Sequence, residues 1–295
     1  MNQYKSCRLC PRECGIDRSA GEVGYCKMSD KIIAAKAMLH FYEEPIISGA
    51  CGSGAIFFSG CSLSCVYCQN EKISRGSVGK EISVNRLSEI MLELQSAGAH
   101  NINLVTPTHF SPSIKTAVSL ARADGLNIPV VYNTSSFDSV SALQDLEGYI
   151  DIYLADYKYS RSETALEYSN AAAYPEKALL AIDEMLRQAP DFSIKDGIMQ
   201  KGVVIRLLLL PSHIAEAKLS LSMLYKRYGD KVWFSLMNQY TPNSVAPYPI
   251  NRAVTQAEYR DFIRYAEKIG VKNAFVQESG TATDAYTPIF NNEGV

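Results

Sequence analysis

Apolar residues along this chain recur with two different periods, and the periods alternate. Short, largely apolar runs fall at residues 55–59, 102–106, 129–133, 151–156, 203–210, 232–236 and 273–276. They have the length and character of strands covered on both faces. The stretches between them are helical in period. Within 84–98, Leu87, Ile90, Met91 and Leu94 share one face, Ser83 stands where an N-cap belongs and Gly98 where a helix stops. From Ser111-Pro112 the scheme repeats: proline opens the helix, Ile114, Ala117, Val118 and Ala121 share a face, and Gly125 lies past its end. Further helical stretches occupy 175–188, 215–228 and 256–269, the last followed by Gly270. Strand followed by helix, six or seven times over, predicts an α/β fold with parallel strands joined by crossover helices. An open doubly wound sheet and a partial (β/α) TIM-like barrel of six to seven parallel strands both satisfy this pattern.

The first thirty or so residues stand apart from the alternation. They are polar, cysteine-rich and turn-rich, and too few to bury a core of their own. The expected organisation is a cysteine-rich N-terminal extension at 1–50 and a (β/α) domain at 51–295. Charge then narrows the function classes. With 29 basic against 31 acidic residues and no basic run, the chain lacks the electrostatic footprint of a duplex nucleic-acid binder. Its 47% hydrophobic content excludes a disordered chain. No stretch approaches the roughly 20 apolar residues that cross a bilayer, and residues 1–5 carry no signal-peptide core. A reducing cytoplasm is therefore expected, with no membrane partner. All eight cysteines fall within the first 68 of 295 residues. In that compartment such clustering points to metal ligands rather than disulfides.

Residues 60–70, Gly-Cys-Ser-Leu-Ser-Cys-Val-Tyr-Cys-Gln-Asn, place Cys61, Cys65 and Cys68 in a C-x3-C-x2-C spacing just after the first strand. Two chemistries fit. A structural zinc site wants a closed set of four ligands, which Cys51 or a distant histidine would complete. A [4Fe–4S] cube takes one thiolate per iron, so three cysteines hold three corners and leave one iron open.

This loop, with its aromatic residue before the third cysteine and the βα array behind it, resembles the radical S-adenosylmethionine (SAM) superfamily. Other stretches extend the likeness along nearly the whole chain: Glu43-Glu44-Pro45, Asn103 to His109, Val131 to Ser135, Asp151 to Tyr159, Ser235 to Pro242 and Phe275 to Glu278. Together they are similar to the group of pyruvate formate-lyase-activating enzymes. The resemblance implies a partial barrel, a [4Fe–4S] cluster on Cys61, Cys65 and Cys68, and SAM chelated at the open iron. Reductive cleavage of SAM then gives a 5′-deoxyadenosyl radical that abstracts hydrogen from a substrate. It implies an electron donor such as flavodoxin or ferredoxin, and a glycyl-radical protein or other peptide as one kind of substrate. Position by position, Tyr67 matches the aromatic residue beside the adenine. Thr106 and Thr108 fall where relatives carry a Gly-Gly-Glu-like run for the SAM amino group, and no acidic residue stands there. Asn133 occupies a position where activating enzymes tend to carry Asp. Asp156 and Lys158 form an Asp-x-Lys pair suited to the SAM carboxylate. Arg206 interrupts an apolar strand and needs a buried anionic partner, either Asp156 or the methionine moiety of SAM. Asn238, with Gln239 and Tyr240, ends the sixth strand with side chains able to contact SAM or substrate.

Upstream, Cys7, Cys10, Cys14 and Cys26 form C-x2-C-x3-C-x11-C, with glycines that permit tight turns. Zinc and a second iron–sulfur cluster accept this set equally. Cys51 is left without a role. The rival functions are a (β/α) enzyme with a structural zinc–thiolate site and unrelated chemistry, and a metal-binding protein without SAM turnover.

Overall fold

The structure, a computed structural model, describes residues 3–277 and 287–295. Its elements follow in order as β1 (Ile32–His40), α1 (Pro45–Ser48), β2 (Ser53–Phe58), α2 (Glu71–Ser74), β3 (Lys80–Ile82), α3 (Val84–Ser96), β4 (Ile102–Val105) and α4 (Ser111–Ala123). The chain continues through β5 (Val130–Thr134), α5 (Val140–Gln144), β6 (Ile152–Asp156), α6 (Ser162–Ser169), α7 (Tyr174–Gln188), β7 (Ser193–Lys195) and β8 (Ile198–Leu208). It ends with α8 (Ile214–Tyr228), β9 (Trp233–Met237), α9 (Gln256–Lys268) and β10 (Ala274–Val276). All seven strands expected from the apolar runs are present. They are parallel and lie in the order β2-β4-β5-β6-β8-β9-β10. Among the described residues the path runs from β10 to β3 without closing, so the barrel is partial.

Three antiparallel strands were not signalled by the hydrophobic pattern. β1 adds to the outer edge of β2, β3 adds to β1, and β7 pairs with β8. Opposite Ala34–Lys36 the register of β1 shifts by a bulge, and the segment 289–293 packs there. Asn292 N–H donates to Ala35 O and Ala37 N–H to Glu293 O, both at 3.0 Å. The buried Lys36 ammonium donates to Ile289 O, Asn291 Oδ1 and Glu293 Oε2 at 2.9–3.1 Å.

Strand residues alternate between two environments, as a period of two requires. Ile56, Phe58, Leu104, Tyr132, Tyr153, Val203, Ile205 and Phe234 face outward into the main core beneath the helices. Helix α3 presents Leu87, Ile90, Met91 and Leu94 to that core, and the Ser83 hydroxyl caps it by accepting the Arg86 N–H. The inward set begins as a small apolar floor: Val131, Ile152, Leu154 and Val204, plugged by Ile46 and Ile47 of α1. Further along the same strands, toward their C-terminal ends, the inward positions become polar. That change in chemistry positions the site.

Candidate active site

β2 delivers the chain into the loop that carries Cys61, Cys65 and Cys68. Gly60 makes the turn at φ +88°. A Cβ there would stand 2.6 Å from the Cys26 carbonyl oxygen and 2.5 Å from Met28 Cγ, so only glycine fits. The loop is anchored by Gly60 N–H to Ile73 O and Val66 N–H to Tyr168 O, at 2.8 and 2.9 Å. All eight cysteines are free. Ser169 Oγ donates to Cys65 Sγ at 3.0 Å and Leu63 N–H to Cys61 Sγ at 3.4 Å. Burial, reinforced by Cys65 and Cys68, pushes the Cys61 thiol up to about 12. Burial and Cys65 also raise Cys68. Thiols held in this way ionise only against a compensating cation, as a metal supplies.

The three cysteines open onto a cavity of about 250 Å³ that is also lined by Tyr67, Thr106, Asn133, Asp156, Lys158 and Arg206. Six of the expected SAM contacts are thus brought together. At its base lies a buried charge network. Arg206 Nε donates to Asp156 Oδ1 at 2.7 Å, and Lys158 Nζ to Asp156 Oδ2 at 2.7 Å. The same guanidinium reaches Glu43 Oε2 at 3.2 Å and Asn133 Oδ1 at 2.5 Å. Burial alone would raise the Asp156 carboxyl, but Arg206 and Lys158 together hold it below the ordinary range. Lys158 moves up for the converse reason: Asp156 outweighs desolvation. The buried anionic partner expected for Arg206 is Asp156. Glu43 is a second, to which no role had been assigned. It accepts from Asn103 Nδ2 at 3.0 Å, and burial raises its carboxyl despite Arg206.

Tyr67 is buried, and Tyr159 Oη donates to its hydroxyl at 2.8 Å, so its ring is fixed beside the cysteines. Thr106 adopts φ +59°, a conformation that costs a β-branched residue about 1–3 kcal/mol. This strain lies in the cavity wall. Two expected contacts sit off the wall. Thr108 is buried in a 3₁₀ turn, its hydroxyl 3.4 Å from that of Thr134. Asn238 donates its N–H to Gln277 Oε1 at 2.7 Å, while its neighbours Met237 and Gln239 line the cavity. His109 is buried with Nε2 2.7 Å from Ser59 O, and burial lowers it to about 3, so it stays neutral. Glu278 lies outside the described residues.

Turns closed by Glu13 N–H to Cys10 O at 3.0 Å and Lys27 N–H to Gly24 O at 2.9 Å fold the segment that carries Cys7, Cys10, Cys14 and Cys26. A Cβ on Gly24 would sit 3.3 Å from Cys14 Sγ and 3.8 Å from Cys26 Sγ. Burial, with Cys26, Cys7 and Cys14 adding, pushes the Cys10 thiol up to about 12. Cys51 is exposed, apart from both sets. Among the described residues no group of three or more His, Cys, Asp or Glu side chains is arranged around a single metal ion. A four-iron cube takes one thiolate per iron, so its protein ligands need not converge on one point.

The sequence profile of the radical SAM superfamily matches residues 55–200, from β2 into β8 and across all three loop cysteines. The chain belongs to the radical SAM superfamily. That membership makes it an enzyme of this class and implies a [4Fe–4S] cluster and SAM as cofactors. Among curated proteins it is 30% identical to the uncharacterized protein MJ0674 of Methanocaldococcus jannaschii over 278 residues, 90% of this chain and 76% of that one. Among solved structures it resembles Streptococcus suis SuiB bound to S-adenosylmethionine, with a TM-score of 0.51 and 10% identity over 79% of this chain and 51% of SuiB. SuiB bound to its precursor peptide SuiA gives the same TM-score and identity over 75% and 47%. The chain spans about half the length of SuiB, and that likeness is one of fold. Among the described residues no helix is long and apolar enough to cross a membrane.

Proposed function

We propose that this chain cleaves SAM reductively at a [4Fe–4S] cluster held by Cys61, Cys65 and Cys68, and directs the product radical at a C–H bond of a substrate. One observation carries the reading: three thiols of a C-x3-C-x2-C loop open into the cavity that also holds the Lys158–Asp156–Arg206 network. When bound, the cluster supplies the electron that breaks the sulfonium C–S bond. The chain's own residues do the rest. Lys158, steadied by Asp156, presents an ammonium to a carboxylate such as that of SAM. Asn133 offers a neutral amide to a ribose hydroxyl, and Tyr67 an aromatic face to adenine. Thr106 gives its hydroxyl and backbone carbonyl to an amino group. The packed floor of the barrel beneath the network closes the cavity on that side with apolar side chains.

The electron comes from a flavodoxin- or ferredoxin-type donor in this reading, and the eight free thiols suit a reducing cytoplasm. The resemblance of its motifs to those of pyruvate formate-lyase-activating enzymes favours a glycyl-radical protein as the substrate, with a small molecule or another peptide as the alternative. Anaerobic reconstitution with iron and sulfide tests the core of the proposal. The expected result is a brown protein that releases 5′-deoxyadenosine and methionine under dithionite. Colourless protein that binds zinc and ignores iron would overturn it in favour of a structural thiolate site.

A further inference from the structure

The N-terminal cysteines are not absorbed by this chemistry, yet the segment that carries them grips the cluster loop from three directions. Arg12, between Cys10 and Cys14, donates from Nε to Ser62 O at 2.9 Å and from its terminal nitrogens to Ser169 O at 2.9 Å and to Asn170 O. Ser62 lies between Cys61 and Cys65, and Ser169 is the residue whose hydroxyl donates to Cys65 Sγ. The Arg12 guanidinium stacks 3.8 Å over the ring of Tyr25, the neighbour of Cys26. Next, the Cys26 carbonyl and the Met28 side chain lie against Gly60, in the space a Cβ would need. Third, the fully buried Arg18 joins Met28 O at 3.0 Å to His109 O at 2.7 Å. His109 in turn meets Ser59 O. Residues 59–65 are therefore packed against a segment with little apolar core of its own: Tyr4, Cys7 and Leu9 against Ala142.

A segment of this kind needs a cross-link to hold its shape. We propose that Cys7, Cys10, Cys14 and Cys26 form a second metal–thiolate site, and that loading it locks the loop carrying Cys61 and Cys65. The four cysteines share one small knuckle: Cys14 N-terminal and Cys26 C-terminal flank Gly24, and Arg18 Nη1 reaches Cys7 Sγ at 3.7 Å. The side chains as they stand do not close on a single point. Closing the site therefore requires the sulfurs to move together. Zinc and an iron–sulfur cluster share the required chemistry, a four-thiolate set. The coupling to the loop rests on the cluster assignment above; the metal site itself does not.

The test uses the full chain with Cys61, Cys65 and Cys68 all changed to Ala, so that the first site is silent. Purified without oxygen after growth with iron and zinc, it is expected to retain stoichiometric metal. Either one zinc without colour, or about four irons with sulfide and a brown colour, supports the site. A folded variant without metal overturns it, even where the wild type cleaves SAM. Metal retained here alongside a wild type that fails to cleave SAM sinks the radical reading and leaves this one standing. Should the triple variant not fold, the wild type is assayed directly, and no metal beyond about four irons overturns the site. The coupling is read by amide hydrogen exchange over residues 59–66. Exchange at least about tenfold faster in Arg12→Ala and in Cys10→Ala/Cys14→Ala supports it, and exchange unchanged in both overturns it.

Discussion

Cys61, Cys65 and Cys68 hang from β2 on a loop whose surroundings are finished without them: strands beneath, Tyr67 wedged against Tyr159, Tyr168 and Tyr240, and backbone bonds to α6 and α2. Cys7, Cys10, Cys14 and Cys26 sit in a segment whose regular structure, among the described residues, is one 3₁₀ turn. In the first region packing comes before the ligands, and the barrel positions thiols for a reaction. In the second, under the proposed metal–thiolate site, the ligands stand in for packing. The same residue type thus serves opposite ends, and what separates them is how much apolar surface lies underneath.

The strongest way to break this comparison is Cys65→Ala. Formation of 5′-deoxyadenosine is expected to fall below detection while the melting temperature changes little, because the barrel does not depend on the cluster. Retained turnover would place the cluster elsewhere. Arg206→Ala should do the reverse and strike the barrel itself. It strands the Asp156 and Glu43 carboxylates, at a cost of about 3–5 kcal/mol in chemical denaturation; a loss under about 1 kcal/mol would mean that water already solvates the network.

Gly60→Ala probes the seam between the regions. The positive φ and the clash with Cys26 O should cost about 1–3 kcal/mol, and a neutral result would show that the extension is loosely docked. Acid titration sharpens the picture of the base of the cavity. Asp156 is lowered by its partners, so its stabilising contribution is complete above the ordinary carboxylate value of about 3.9. It is lost as pH falls through the lower folded value. Glu43 is raised, so its contribution has the opposite sense: full below the ordinary value and lost as pH rises through the folded one. Stability of Asp156→Asn and Glu43→Gln relative to wild type, measured across acid pH, should therefore diverge in opposite directions. Parallel curves would contradict the assigned shifts. The smallest effect is expected of Tyr67→Phe, which removes the hydroxyl paired with Tyr159 for about 0.5–1.5 kcal/mol and spares SAM cleavage.

The parallel strands were legible because each is buried on both faces, which leaves a largely apolar run at strand length. β1 was not. Its Lys36 reads as a solvent-facing break, and the groups that make it tolerable lie more than 250 residues away, in 289–293. The pairing of Asp156 with Arg206 was within reach of sequence reasoning, since the two residues stand in register on adjacent parallel strands. Glu43 was not, because it comes from the connection after β1, and its partner Arg206 is 163 residues away. An acidic pair ahead of a proline was the available signal, and nothing local distinguished it from a helix cap. Thr108 and Asn238 show a different limit. A motif places residues at a strand end, but the turn that follows decides which side chains face the cavity.

The contact between β1 and residues 289–293 also bears on how the molecule is made. β1 and β2 leave the ribosome early and can pair at once. Lys36 then waits for Glu293, more than 250 residues further along the chain. Until it arrives, an ammonium lies on β1 without its carboxylate, so this contact closes late, after the strands on either side of it have been made. A nascent chain stalled before residue 289 should expose that strand to proteases that the finished protein resists.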